Sequence, residues 1–279
     1  MWYRTSPRDD NAAIGSIPSR IYQMAKQVYF RLFRVLLYFR CTCSDSIGTV
    51  FRSHDVPVPP SLLRYKVSES TDTKLFLDVG ERTAATIERT LNDAGTPLNK
   101  MKKVLDFGCG CGRTLRWLVD KFPHTQFFGT DVDVMSVKWC QKHLNANVCV
   151  NGNHPPLCFS DSLLDCVYAI SVFTHLSEQY QLGWLAELRR VLRPGGLLLV
   201  SLHGMGSLKC LAAGERDMLR TQGFLFMQSS KLCGIHPAWY QTAFHTEEYV
   251  VRTWSKYFRV IEYKELGLGY QDVVVLRRE

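Results

Sequence analysis

The chain has 279 residues, 46% hydrophobic and 22% charged, with a formal net charge of +8. This composition excludes a disordered or fibrous protein and suits one large globular domain with extensions. The positive balance favours an anionic partner, but no dense lysine or arginine run marks a nucleic-acid arm, and no nucleic acid is expected.

Residues 1–60 read as an amino-terminal extension. Within it, "SRIYQMAKQVYFRLFRVLLYFR" is two-faced: Arg20, Gln23, Gln27, Arg31 and Arg34 fall on one side of a helix, and Ile21, Met24, Ala25, Val28, Leu32, Val35, Leu36 and Phe39 on the other. Arg31 and Arg34 interrupt the apolar run well before the ~20 residues a bilayer span needs. Two roles fit residues 20–40: docking on the main domain or on a second copy, and peripheral contact with an anionic membrane. The proline-rich "VPVPP" at Val56 to Pro60 then acts as a linker or clamp.

From about Leu62 to Ala94 the spacing predicts helix, stopped by Gly95 and Pro97. Beyond Lys103, short apolar runs alternate with helical patterns, the mark of β-α-β units and a mostly parallel sheet. The runs are "KVLDF", "TQFFGTD", "NVCV", "LLDCVYAIS" and "LLLVSL". Helices are expected in "CGRTLRWLVDKF", opening at Arg113, in "DVMSVKWCQKHL", and in "SEQYQLGWLAELRRVL", started by Ser177 and stopped by "RPGG". Thr246 can cap a further helix, and "FRVIEY" and "DVVVLRR" close the chain as strands, the last with an antiparallel connection. Gly204 to Phe244 is longer than a plain connection, so residues 204–245 are a candidate insert or lid over a site.

The stretch "VLDFGCGCGRTL" places Gly108, Gly110 and Gly112 between a strand and a helix, where a doubly wound fold binds ligand. Asp106 precedes the first glycine, and Asp131 ends the second strand, where a carboxylate can accept bonds from ribose hydroxyls. "GCGCG" lacks the third glycine position of a pyrophosphate loop, which disfavours a nicotinamide-dependent oxidoreductase and suits a ligand with ribose but no phosphates. Cys109 and Cys111 are spaced C-x-C, unlike common zinc or redox sites, and read as small packed side chains. No metal is expected. Ten scattered cysteines, with no secretory signal at the start, read as reduced thiols in a cytoplasmic protein.

From about Pro57 to Arg278 the sequence resembles the class I S-adenosylmethionine-dependent methyltransferases. "VLDFGCGCGRTL" is similar to their first motif, "FGTDVD" to their acidic loop, "PPLCFSDSLLDCVYAISVFTHL" to their fourth-strand region, and "LAELRRVLRPGGLLLVSLHG" to the helix, turn and strand that follow. The resemblance implies an α/β, Rossmann-like sheet of seven mostly parallel strands with one antiparallel, helices on both faces, and a methyltransferase domain over residues 61–279. It further implies that S-adenosylmethionine is held by backbone around Gly108, Cys109 and Gly110 with Asp106 in support. Asp131 would take the ribose, Val132 would flank the adenine, Gly152 and Asn153 would lie near its amino group, and Ser171 would lie beside the methyl. Where the family often has a carboxylate near the adenine, "VNGNHPP" has none.

Methyl transfer is an in-line displacement, so alignment and a base for the acceptor are the needs. His175, His203 and His245 are the candidate bases, each with packing as its plainer role. Arg64, Tyr65, Trp239 and Tyr240 are candidate acceptor contacts, against an ion-paired arginine and packed aromatics. The expected acceptor is a small molecule methylated on oxygen or nitrogen: a natural product, sugar or lipid-like compound. The alternative is a non-catalytic methyltransferase-like subunit that binds cofactor or a partner chain.

Overall fold

A computed structural model describes residues 28–29, 32–33, 35–43, 45, 57–228, 235–237 and 239–279. Nine strands occur among them: β1 Lys103–Phe107, β2 Gln126–Asp131, β3 Asn147–Val150, β4 Leu164–Ala169, β5 Leu192–Leu202, β6 Phe224–Met227, β7 Thr242–His245, β8 Arg259–Lys264 and β9 Asp272–Arg277. Seven form one sheet in the order β3-β2-β1-β4-β5-β9-β8, and only β9 runs against the rest. This is the expected seven-stranded, Rossmann-like sheet. The strand order reverses between β1 and β4, which run parallel, and this switch point opens a crevice at their carboxyl ends where such sheets bind ligands.

From residue 57 onward the α-helices among the described residues are α1 Ser61–Ser68, α2 Thr73–Asp93, α3 Leu115–Lys121, α4 Val134–His143, α5 Glu178–Val191, α6 Ala213–Gln222 and α7 Glu247–Trp254. Both sheet faces are covered. One core gathers Phe76, Ile87, Leu91, Leu115 and Leu118 against Val104, Tyr168 and Leu199. The other gathers Trp184, Leu185, Leu188 and Trp254 against Leu105, Phe107, Val167 and Val274. Central strands buried on both faces explain why "VLDF" and "LLLVSL" run apolar without alternation.

Three expectations change in detail. The helical stretch 62–94 is two helices, because Glu69 turns left-handed (φ 51) after α1 and Asp72 starts α2 by accepting the Leu75 N–H. The helix after the glycine loop opens at Leu115 rather than Arg113, the loop taking two more residues as turns. The segment 204–245 is more than a connection: it carries α6 and the antiparallel pair β6 and β7, with a small core of Leu211, Leu219, Leu225 and Phe244. The Thr246 cap forms as expected, its hydroxyl accepting the Tyr249 N–H.

The described residues between 28 and 45 are helical. Leu37 and Cys41 are buried (7% and 3% exposed), and the Asp45 carboxylate accepts bonds from the Ser61 backbone and hydroxyl at 2.9 and 2.7 Å. One face of this helix therefore docks on α1. The opposite face presents Val28, Leu32, Val35, Leu36 and Phe39 outward, Leu32 at 59% and Phe39 at 68% exposed. The rest of the predicted 20–40 helix lies outside the described residues.

Candidate active site

Strand β1 delivers Asp106 and the glycine loop to the crevice, and β2 delivers Asp131 beside them. The N–H groups of Gly108 and Cys109 both donate to the Thr130 carbonyl (2.8 and 2.9 Å), locking the loop onto β2. Asp131 then bridges two turns: one carboxylate oxygen accepts the Gly110 N–H at 2.7 Å and the other the Asp133 N–H at 2.8 Å. The Asn151 N–H donates to the Asp131 carbonyl (3.1 Å), which brings the exit of β3, with Gly152 and Asn153, alongside Asp131 and Val132.

Gly108 and Gly110 take left-handed backbone (φ 81 and 52), and at each a Cβ would lie on a neighbour: 2.3 Å from a Val172 methyl and 2.5 Å from a Val67 methyl. Glycine is required at both for backbone conformation and for closeness. Helix α1 lies over the loop. Besides Val67, its Lys66 ammonium reaches Asp133 at 3.0 Å and its Val67 carbonyl accepts from Arg113 at 2.6 Å.

Asp106 is buried, and burial raises its carboxyl to about 8 against the opposing pull of the Tyr168 hydroxyl and Arg113. Asp131 is also raised by burial, with its two backbone N–H partners pulling the other way. Among the described residues neither carboxyl makes an ion pair. Cys109 and Cys111 are packed thiols: burial and the Cys140 thiol push Cys109 up, and Cys111 donates to the Leu63 carbonyl at 3.5 Å. No group of three or more metal-competent side chains occurs among the described residues.

On the other side of the crevice the aromatic and imidazole groups converge. The His175 ring stacks on Tyr240 (4.0 Å) and meets His203 edge-on (6.3 Å), while Tyr240 stacks in turn on His236 (4.2 Å). His175 Nδ1 lies 2.7 Å from the Gln241 carbonyl. A carbonyl only accepts, so Nδ1 carries the proton and Nε2 is left as acceptor. Burial holds the His175 imidazole down at about 3, hence neutral. His203 is lowered to about 4 by burial, and Gln271 Nε2 lies 3.4 Å from its Nε2. The Tyr240 phenol is pushed up by burial and by the Asp131 carboxylate, which places it toward the glycine-loop side.

Ser171, at the end of β4, is left-handed (φ 58), a conformation costing a non-glycine residue about 1–2 kcal/mol. Its N–H donates to the Ser201 hydroxyl (2.7 Å), and both hydroxyls donate to Gln271 Oε1, at 3.0 and 2.8 Å. Gln271 thus ties the tips of β4, β5 and β9 together, yet it escaped the sequence reading. So did His236, Lys66, Asp133 and Asp272, which receives Tyr263 and Leu266. The sole signal for Gln271 and Asp272 is a polar pair opening an otherwise apolar strand.

Four expected site residues are used elsewhere. His245 is fully buried among Phe224, Tyr249 and Trp254, its Nε2 donating to Gln181 Oε1 at 2.9 Å, so it is a packed histidine rather than an accessible base. Arg64 spends its guanidinium on the Pro59 and Thr71 carbonyls and the Ser61 hydroxyl, stitching the chain before α2. Tyr65 is half-buried on α1, where burial and Glu69 raise its phenol with Arg40 opposing. Trp239 packs on Tyr180 and Tyr240 as a core aromatic.

Residues 104–196 match a family model described as a methyltransferase domain. Over 146 residues the chain is 30% identical to a phthiotriol/phenolphthiotriol dimycocerosates methyltransferase of Mycobacterium ulcerans, covering 50% of this chain and 48% of that protein. It is 32% identical over 100 residues to a fatty-acid O-methyltransferase of Mycolicibacterium smegmatis, covering 35% and 36%. The matched part thus spans about half the length of these relatives or less. An S-adenosylmethionine-dependent methyltransferase of Mesorhizobium loti superposes with a TM-score of 0.52 at 15% identity, covering 68% of this chain and 97% of that one.

Proposed function

We propose that the chain is a class I S-adenosylmethionine-dependent methyltransferase acting on an oxygen or nitrogen of a lipid-like small molecule, a reading supported by the methyltransferase-domain match over residues 104–196. The observation that carries this reading is the pair of buried carboxyls, neither in a direct ion pair among the described residues, flanking a glycine loop that admits no Cβ. That donor set fits the cofactor: Asp106 for its ammonium, backbone of Gly108 to Gly110 for its amino-acid part, Asp131 for its ribose hydroxyls, with Val132, Gly152 and Asn153 toward the adenine and Ser171 toward the reacting end. When bound, S-adenosylmethionine supplies an electrophilic sulfonium methyl.

In this reading segment 204–245 forms the acceptor side. His175, neutral at pH 7, holds or removes the acceptor proton at Nε2; neutral His203, whose Nε2 meets the Gln271 amide, lies beside it, and His245 stays packed in the core. Tyr240 shields the crevice from water. The lipid-like acceptor is supported by the names of the two mycobacterial relatives and by the outward apolar face of the amino-terminal helix. The test is transfer of labelled methyl from S-adenosylmethionine to long-chain hydroxy or carboxylic acceptors in micelles, against short-chain counterparts. Long-chain preference is expected; S-adenosylhomocysteine that fails to bind at all would overturn the enzyme reading in favour of a partner-binding subunit.

Asp106 supplies a second check. With its carboxyl near 8, it is mostly protonated in the free protein at pH 7, and an ammonium placed against it favours the carboxylate. Binding of S-adenosylhomocysteine should therefore release up to about one proton at pH 7 and none above about pH 9. Calorimetry in buffers of differing ionisation enthalpy reads this directly, and Asp106→Asn should abolish it. The same raised pKa costs the free protein stability as pH rises from about 4 to 8, the window in which only the unfolded chain ionises.

We further propose that the outward helix face lies on an anionic bilayer. No helix among the described residues is long and apolar enough to cross a membrane. Residues 11–44 carry Arg20, Lys26, Arg31, Arg34 and Arg40 and no acidic residue, which complements anionic headgroups. The protein should float with phosphatidylglycerol vesicles, and Leu32→Asp with Leu36→Asp should cut the bound fraction on the order of tenfold. Equal binding by the variant would sink the idea.

A further inference from the structure

At the β3 edge of the sheet, away from the histidines, two thiols face each other. Cys149 on β3 and Cys158 in the loop leading to β4 have their sulfurs 3.1 Å apart, with Cys158 exposed and Cys149 half-buried. Both backbones are anchored. Cys149 sits in register with Thr130 of β2. The loop is held by the Leu157 N–H donating to Glu187 (2.7 Å), by His154 stacked on Tyr180 (4.6 Å) and by Phe159 edge-on to Phe128 (5.4 Å). The approach of the two sulfurs is therefore built into the fold. A disulfide has its sulfurs about 2.05 Å apart, so closure asks for roughly one ångström, within reach of side-chain torsions.

We propose that Cys149 and Cys158 are a reversible redox dithiol, oxidised to an intramolecular disulfide by a peroxide. The Cys158 sulfur attacks a peroxide oxygen, the O–O bond breaks, and Cys158 becomes a sulfenic acid as one water leaves. The Cys149 sulfur then displaces the hydroxyl group, the S–S bond forms, and a second water carries off the remaining thiol proton. Two electrons pass from the thiol pair to the peroxide, and a dithiol reductant returns them. Burial and the neighbouring Cys158 push the Cys149 thiol up to about 12, so it stays protonated while exposed Cys158 meets the oxidant. Cys109, Cys111, Cys140 and Cys166 are buried and shielded from it.

The cross-link closes a ring around Asn151, Gly152 and Asn153. Its effect on the cofactor rests on the functional reading above, but its formation does not. The full-length protein is treated with hydrogen peroxide, alkylated, digested without reductant and mapped by mass spectrometry. The expected product joins Cys149 to Cys158, is lighter by two hydrogens, disappears with dithiothreitol, and forms no later than exposed Cys43 oxidises. In Cys149→Ser, Cys158 should advance to the sulfinic acid. The proposal fails if Cys158 overoxidises in the native protein while Cys149 stays alkylatable, or if the pair remains reduced after Cys43 has reacted. Since the readout is a covalent link, failure of the cofactor reading would leave it intact.

Discussion

Gly110→Val should lower affinity for S-adenosylhomocysteine by at least about 100-fold. At φ 52 an L-residue pays about 1–2 kcal/mol, more when β-branched, and the new Cβ would sit 2.5 Å from a Val67 methyl. Either α1 lifts away or the loop turns, and both displace the Gly110 N–H from Asp131. The core beneath is untouched, so circular dichroism should show a folded chain while calorimetry shows the loss. Cys109→Ala with Cys111→Ala is the contrast. These thiols fill space behind the loop, so the double variant should bind nearly as the parent does, at a modest cost in melting temperature. A Gly110→Val protein that still binds tightly would remove the loop from the site.

Asp131→Ala should cost a similar factor by a different route. Its carboxylate holds the Gly110 and Asp133 N–H groups, and bonds to a charged acceptor are worth about 1.5–3 kcal/mol each. Removing it leaves two donors without their acceptor and takes away the proposed ribose anchor. The expected loss is again on the order of 100-fold in S-adenosylhomocysteine affinity. Asp131→Asn keeps one acceptor oxygen and should fall between. If Asp131→Ala bound like the parent, the assignment of the ribose end would be wrong even though the fold stood.

The cofactor side of the crevice was legible because it is local. Asp106, Gly108, Gly110 and Asp131 lie at strand ends that apolar runs mark out, and left-handed turns demand glycine in any context. The acceptor side was not. His175, His203 and His245 look alike in sequence, yet the first two converge with Tyr240 while the third is sealed into a core by Gln181. Arg64 was misplaced for the same reason: a guanidinium's partners, here three groups on its own segment, depend on a chain path that periodicity does not report. The pair of β6 and β7 escaped because their segment was read as one long connection, and what makes them strands is a register between separated stretches of chain that no local window reports.

What the sequence by itself determined is the mostly parallel sheet and the glycine loop, because hydrophobic period and backbone stereochemistry act over a few residues, whereas the strand order came with the tertiary structure. Only the tertiary structure decided which imidazole is reachable, which face of the amino-terminal helix stays bare, and that Cys149 meets Cys158. Each of those depends on burial and on contacts between distant segments, which no window of sequence contains.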